Sequence, residues 1–296
     1  MKDIIRKILS FFNYAIVPND YLKPIDKLGD TIQIRNVSYF FSNTGVLINA
    51  NLNQGRGLPI NSFGSTGNHP FSIAVKVSQG LKRADQMIKI ESILFEYYER
   101  VNPINFSEMA GFEDPFKLSE FPPWAIVMPW QAEGPEEWSK HITHHVAGEN
   151  GRYDKSATIE NGWAWTGPVD ENKCKIEASR LASVASSISS KGYLRNDSYD
   201  GDIKADILVN ESNDWVWQSV SAQHRAAALS GLGYDNVPIR VRSIIRREEF
   251  EFWPNVCNKL YTKDEALWMF DTIFRGDFGF VTRNWDSYLK ENRLHG

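Results

Sequence analysis

A chain of 296 residues and 33.9 kDa is long enough for one large domain or two ordinary ones, and 42% hydrophobic with 24% charged residues marks a globular protein. The formal net charge of −4 and the pI near 5.9 provide no global positive field of the kind that holds a polyanion, so duplex DNA is not an expected partner. Cys174 and Cys257 are too few and too far apart for a secreted disulfide framework or a cysteine-rich zinc site, which points to a reducing, cytoplasmic compartment.

Met1 to Val17 has a basic start and an apolar stretch broken by Lys2, Asp3, Arg6 and Lys7, with no small-residue cleavage site after it. It is too short and polar to span a bilayer, which takes ~20 mostly apolar residues. Ile4, Ile5, Ile8, Leu9, Phe11, Phe12 and Ala15 fall near helical spacing, so an amphipathic helix is expected. Two readings stand for it: docking on the protein's own body, or peripheral contact with the anionic inner face of a membrane.

Residues 32–41 and 45–52 read as two strands joined by Ser-Asn-Thr-Gly turn chemistry. A Gly-, Asn- and Ser-rich loop runs from Asn53 to Asn68 and ends at His69-Pro70-Phe71, where the proline pushes His69 toward extended geometry. Ile88, Ile90, Ile93, Leu94, Tyr97 and Tyr98 suit an amphipathic helix within Ile73 to Val101, stopping before Asn102-Pro103. Phe121 to Trp130 reads as a short buried strand flanked by prolines. A polar stretch from Glu133 to Asn172 follows, and it carries His141, His144 and His145. On a helix His141 and His145 share one face, but no Glu beside His141 completes a zinc-protease pattern and no third ligand is evident, so no metal site is assigned. A soft boundary near Asn150 divides an α+β region of unassigned fold, residues 1–150, from residues 151–296.

In the second part a helix is expected from Ile176 to Lys191, closed by Gly192, then strands at Ala205–Asn210 and Trp215–Val220, a helix from Arg225 to Leu232, and a strand at Val237–Val241. Ser221 stands where an N-cap belongs, ahead of Ala222, Gln223, His224 and Arg225. Backbone N–H groups at the positive end of a helix, with an imidazole and a guanidinium beside them, make an anion site. Arg suits phosphate because its planar fork donates two parallel hydrogen bonds.

The run Ser-Ser-Ile-Ser-Ser-Lys-Gly-Tyr, Ala-Asp-Ile-Leu-Val, Ser-Ala-Gln-His-Arg, Ala-Ala-Ala-Leu-Ser-Gly-Leu-Gly-Tyr and Val-Pro-Ile-Arg-Val-Arg, within about Lys173 to Arg242, resembles the ParB/sulfiredoxin-type nucleotide-binding module. The resemblance implies an α+β fold, a ParB/sulfiredoxin-like mixed sheet with helices in the C-terminal half, and a nucleotide bound through Ser221, Ala222, Gln223, His224 and Arg225. The reactive cysteine of sulfiredoxins is replaced by Gln223. About fifty residues follow the module, short of the helix-turn-helix domain that partition proteins carry there. The small-molecule kinase branch is therefore the nearest, with His224 and Arg225 kept and Ser221 in place of its acidic residue. That branch implies ATP and Mg²⁺ as cofactors, and a carboxylate base that Glu177 or Asp202 could supply. Arg180, one turn beyond Glu177 on the same helical face, joins the nucleotide site. A plain alternative for Glu177 is an acid complementing the helix dipole, and for Asp202 turn chemistry.

His69-Pro70-Phe71, Met128-Pro129-Trp130, Ala222 to Arg225 and Trp253 to Val256 are also similar to proteins of bacterial surface-polysaccharide gene clusters, which implies a sugar or glycan acceptor. The expected function is an ATP-dependent phosphotransferase. A nucleotide-binding switch without turnover and a ParB-like DNA-binding protein are the alternatives.

Overall fold

The computed structural model describes Val37 and residues 46–58, 61–114, 116–194 and 202–294. The helix expected over residues 1–17 and, Val37 aside, the strand expected over 32–41 lie outside them. The described chain is α+β, built on a mixed five-stranded sheet. In chain order the strands are β1 (Val46–Asn51), β2 (Gly55–Arg56), β5 (Ile203–Val209), β6 (Trp215–Ser219) and β7 (Asn236–Arg246), arranged β1-β7-β5-β6-β2. A separate antiparallel pair holds β3 (Gly162–Trp163) and β4 (Thr166–Val169). β1 lies antiparallel on β7 with Val46 opposite Val241, β5 runs parallel to β7, and β5 and β6 form an antiparallel pair with Ala205 opposite Ser219. Strands from both sides of residue 150 therefore share one sheet.

The period-2 alternation of β5 sends side chains to two cores. Ile203, Ala205, Ile207 and Val209 enter one, shared with α1 (Pro70–Val77), α2 (Arg83–Arg100), α5 (Glu171–Lys191) and α6 (Gln223–Gly231). Leu208 enters the other, with Val216, Phe106 of α3 (Phe106–Ala110), Ile142 of α4 (Pro135–Asn150), and Met269, Phe270 and Ile273 of α8 (Lys263–Arg275). The short α7 (Pro254–Cys257) precedes α8, and α9 (Gly279–Glu291) follows it. Two tryptophans are completely buried in the first core and each indole N–H finds a carbonyl: Trp217 donates to Asn51 at 2.9 Å and Trp285 to Asn68 at 2.8 Å.

Several sequence expectations change. The helix carrying Ile88 to Tyr98 is α2 and ends before Asn102-Pro103 as expected, but the chain from Ile73 to Val77 belongs to a separate helix, α1, because Gly80 at φ +76° turns the chain between them. Residues 121–130 form no strand. Pro123–Ala125 is one 3₁₀ turn, and of the buried Ile126, Val127 and Met128 the last two give their carbonyls to side chains instead of a ladder. Tyr261 donates to the Val127 carbonyl and Asn255 Nδ2 to that of Met128 at 3.2 Å. Prolines lack the N–H that a central strand must donate, so the apolar run is buried without pairing. The helix expected from Ile176 begins at Glu171, because Asp170 caps it by accepting from the Lys173 N–H at 2.7 Å. Glu177 thus sits in the second turn of α5, away from the helix start.

Candidate functional site

Helical spacing puts Lys173, Glu177 and Arg180 on one stripe of α5, positions four and three apart. That stripe faces the first turn of α6 and the last turn of α4. His224 Nε2 lies 2.6 Å from Glu177 Oε2, and the other carboxylate oxygen accepts from Lys173 Nζ and, at 3.0 Å, from Arg180 Nη1. Arg180 also grips Glu149 of α4, with Nη2 2.9 Å from Oε1, while Lys173 Nζ donates to Asn150 Oδ1 at 2.6 Å. The Glu177 side chain is 0% exposed, Lys173 1%, and His224 13%. The ring of His224 also meets Phe71 and Trp165 edge-on at centroid distances of 4.9 and 5.4 Å.

Burial works against the Glu177 carboxylate, but His224, Lys173 and Arg180 overcome it and hold its pKa far below the usual carboxylate range. Burial likewise works against a charge on His224, and although Glu177 pulls the other way the net effect is a lowered pKa. With the ring neutral, His224 acts on Glu177 through its Nε2–H hydrogen bond, and the charges that hold the carboxylate ionised are those of Lys173 and Arg180. The carboxylates of Glu177 and Glu149 are balanced by Lys173 and Arg180, so a third positive charge on a buried ring gains little. Glu149 is held below its ordinary range, with the Arg180 charge offsetting burial, and Arg180 is raised because the two carboxylates outweigh its own burial. His224 is neutral at pH 7, its Nε2–H donating to Glu177, and Nδ1 has no hydrogen-bond partner among the described residues.

The turn ahead of α6 departs from the expected cap. Ala222, not Ser221, is the residue before the helix, in the left-handed region at φ +58° and ψ +34°, with no side-chain cap. A non-glycine there costs on the order of 1 kcal/mol or more. The first intrahelical bonds run from the N–H of Arg225 and Ala226 to the Ala222 carbonyl, at 3.0 and 3.1 Å. The N–H groups of Gln223 and His224 precede them, in the αL-then-αR arrangement that forms an anion-binding concavity. Ser221 and Arg225 are part-exposed on that turn, and the Ser221 carbonyl accepts from Ser219 Oγ at 3.0 Å. Gln223 points the other way: it is buried, and its Oε1 accepts from the Leu58 N–H at 2.5 Å, fastening the chain just after β2 to α6.

The structure brings Glu177, Arg180 and His224 together and places Asp202 elsewhere. Asp202 is buried beside β5, and its Oδ2 takes the Arg240 guanidinium of β7 at 2.9 Å from Nε. Glu149, Asn150 and Lys173 escaped the sequence reading, though the spacing of Lys173 four residues before Glu177 carried the signal. Nothing local joins α4 to α5. His69 also lies close by, fully buried, stacked on Phe63 at 4.6 Å, with neither ring nitrogen hydrogen-bonded. Burial, then the nearby His224, lowers its pKa to about 3. His141, His144 and His145 sit on α4, where Trp138, His141 and His145 stack along one face. Among the described residues no group of three or more His, Cys, Asp or Glu is placed to hold a metal ion. No described helix is long and apolar enough to cross a membrane.

Comparison of the chain with protein-family models, with curated proteins and with solved structures returned no match.

Proposed function

We propose that the protein is an ATP-dependent phosphotransferase acting on a hydroxyl of a small molecule or glycan, in bacterial surface-polysaccharide synthesis. The observation that carries the reading is the Glu177–His224 pair at the opening turn of α6: a buried carboxylate orients a neutral imidazole whose second nitrogen is left to take a proton. Glu177 has no surface from which to reach a substrate, so the role of base passes to His224 and Glu177 fixes its tautomer. The resemblance to the ParB/sulfiredoxin module supports the nucleotide half of the proposal.

The residues present fit a phosphate. The Gln223 and His224 N–H groups and the Arg225 side chain would hold it, at the positive end of the α6 dipole. Bound ATP would supply the transferable phosphoryl group, with Mg²⁺ neutralising charge on it. Mg²⁺ takes few protein ligands when it arrives on phosphates, so it needs no three-ligand cluster of side chains here. His224 takes the acceptor proton at Nδ1 while Nε2–H stays on Glu177, as a general base worth about 10²–10⁴ in rate requires. Placement in the cytoplasm is part of the proposal, with residues 1–17 docked on the protein's own body or in peripheral contact with a membrane, and the acidic charge balance argues against duplex DNA as a partner.

The test is calorimetry with ATP and Mg²⁺, followed by a mass-spectrometric screen of sugars and polysaccharide fragments for an added phosphate. Arg225→Ala should weaken nucleotide binding by about 1.5–3 kcal/mol through loss of a charge-assisted contact. Unchanged affinity in the folded variant, or no nucleotide bound by the wild type, would overturn the assignment. Binding without transfer would leave the nucleotide switch.

A further inference from the structure

A lysine ammonium surrenders its hydration when buried, and it remains charged only where partners replace the lost water. Lys173 has 1% of its side chain exposed and two partners, the Glu177 carboxylate on its own helix and the amide oxygen of Asn150 at the end of α4. Neither touches solvent: Glu177 and Asn150 are both 0% exposed. The ammonium is therefore sealed behind the carboxylate, on the side away from His224, which occupies the opposite oxygen.

We infer that Lys173, braced by Asn150, is a positioning residue that keeps Glu177 an anion without an imidazolium beside it, and so fixes His224 as the neutral Nε2–H tautomer. This rests on the reading of His224 as the base. The charged and titratable groups around His224 are Glu177 and Arg180 of α5, Glu149 of α4, and His69 before α1, while Tyr98 of α2 faces Glu177. Phe71 and Trp165 contribute no charge. With Lys173 present, the carboxylates and cations of this set cancel, and the Glu177–His224 pair needs no extra proton. Without Lys173 the set is one negative charge in excess. The pair then recruits a proton, His224 becomes an imidazolium, and Nδ1 is occupied at the pH where it must accept.

The experiment is a long-range ¹H–¹⁵N spectrum of histidine-labelled protein titrated with acid in the absence of nucleotide. In the wild type His224 is expected neutral at pH 7, protonated at Nε2. In Lys173→Met the protonation midpoint of the pair should rise by about one to two pH units, the shift that one charge some 6–8 Å away produces at an effective dielectric near 20. Lys173→Gln, which retains polar contacts for Glu177 and Asn150, is the second variant should the first not fold, and the same rise is expected. Lys173→Arg should stay near the wild type. An imidazolium or an Nδ1–H tautomer in the wild type at pH 7, or an unmoved midpoint in a folded neutral variant, overturns the inference. The readout needs no activity: a protein that titrates as expected but binds no nucleotide keeps this inference and loses the phosphotransfer reading.

Discussion

Replacing Glu177 by Gln takes the central charge out of a cluster sealed from water. Lys173 and Arg180 then face Glu149 alone, leaving one buried positive charge uncompensated. Breaking a buried pair from one side costs about 3–5 kcal/mol, while removing both partners is far cheaper. Glu177→Gln is therefore expected to lose about 3–5 kcal/mol, and Lys173→Met/Glu177→Gln to recover to within about 1–2 kcal/mol of the wild type. Urea denaturation at pH 7 measures both, with an unchanged m-value showing that the midpoint shift reports stability. The pH dependence has a definite sign. The folded pKa of Glu177 lies below its unfolded value, so its contribution is complete above about pH 4.3 and is lost as pH falls through the folded value, and the gap to Glu177→Gln closes only in strong acid. Nucleotide affinity should survive, while transfer falls by about 10²–10⁴ because the glutamine amide no longer dictates the His224 tautomer. A loss under about 1 kcal/mol, or a double variant showing the two losses simply added, would refute the buried-cluster reasoning.

Two further outcomes follow from the neighbouring loop. His69 is held neutral in the native state to about pH 3 but accepts a proton near 6.5 when unfolded, so the native state should lose about 1.4 kcal/mol per pH unit on this account as pH drops below 6.5. His69→Phe should flatten the stability profile in that window by about this slope, and an unchanged profile by calorimetry would show that the ring is not the cause. A methyl group on Gly57 would stand 2.5 Å from His69 Cδ2 and 3.3 Å from Gln223 Oε1, so Gly57→Ala should cost about 1–3 kcal/mol through overpacking. Chemical denaturation of Gly57→Ala checks it, and His69→Ala in that background should relieve part of the loss.

The sequence by itself determined the local facts. The glycine after Lys191, the strands β5 and β6 and the helix after them were legible because caps, periodicity and turn chemistry act within a few residues, although the cap itself lies at Ala222 and not at Ser221. His224, Arg180 and Glu177 were legible for the same reason, each on a helix whose face could be read. Tertiary structure alone decided their roles. Burial turned Glu177 from a candidate base into the partner of His224, and set Gln223 against Leu58 instead of a ligand. The pairing of β1 with β7 carried the first half of the chain into the sheet of the second. Contacts such as Glu149 with Arg180 and Asn150 with Lys173 join helices that no spacing rule connects. The free energy that makes them comes from desolvation and charge balance over the whole cluster, which no short window of sequence contains.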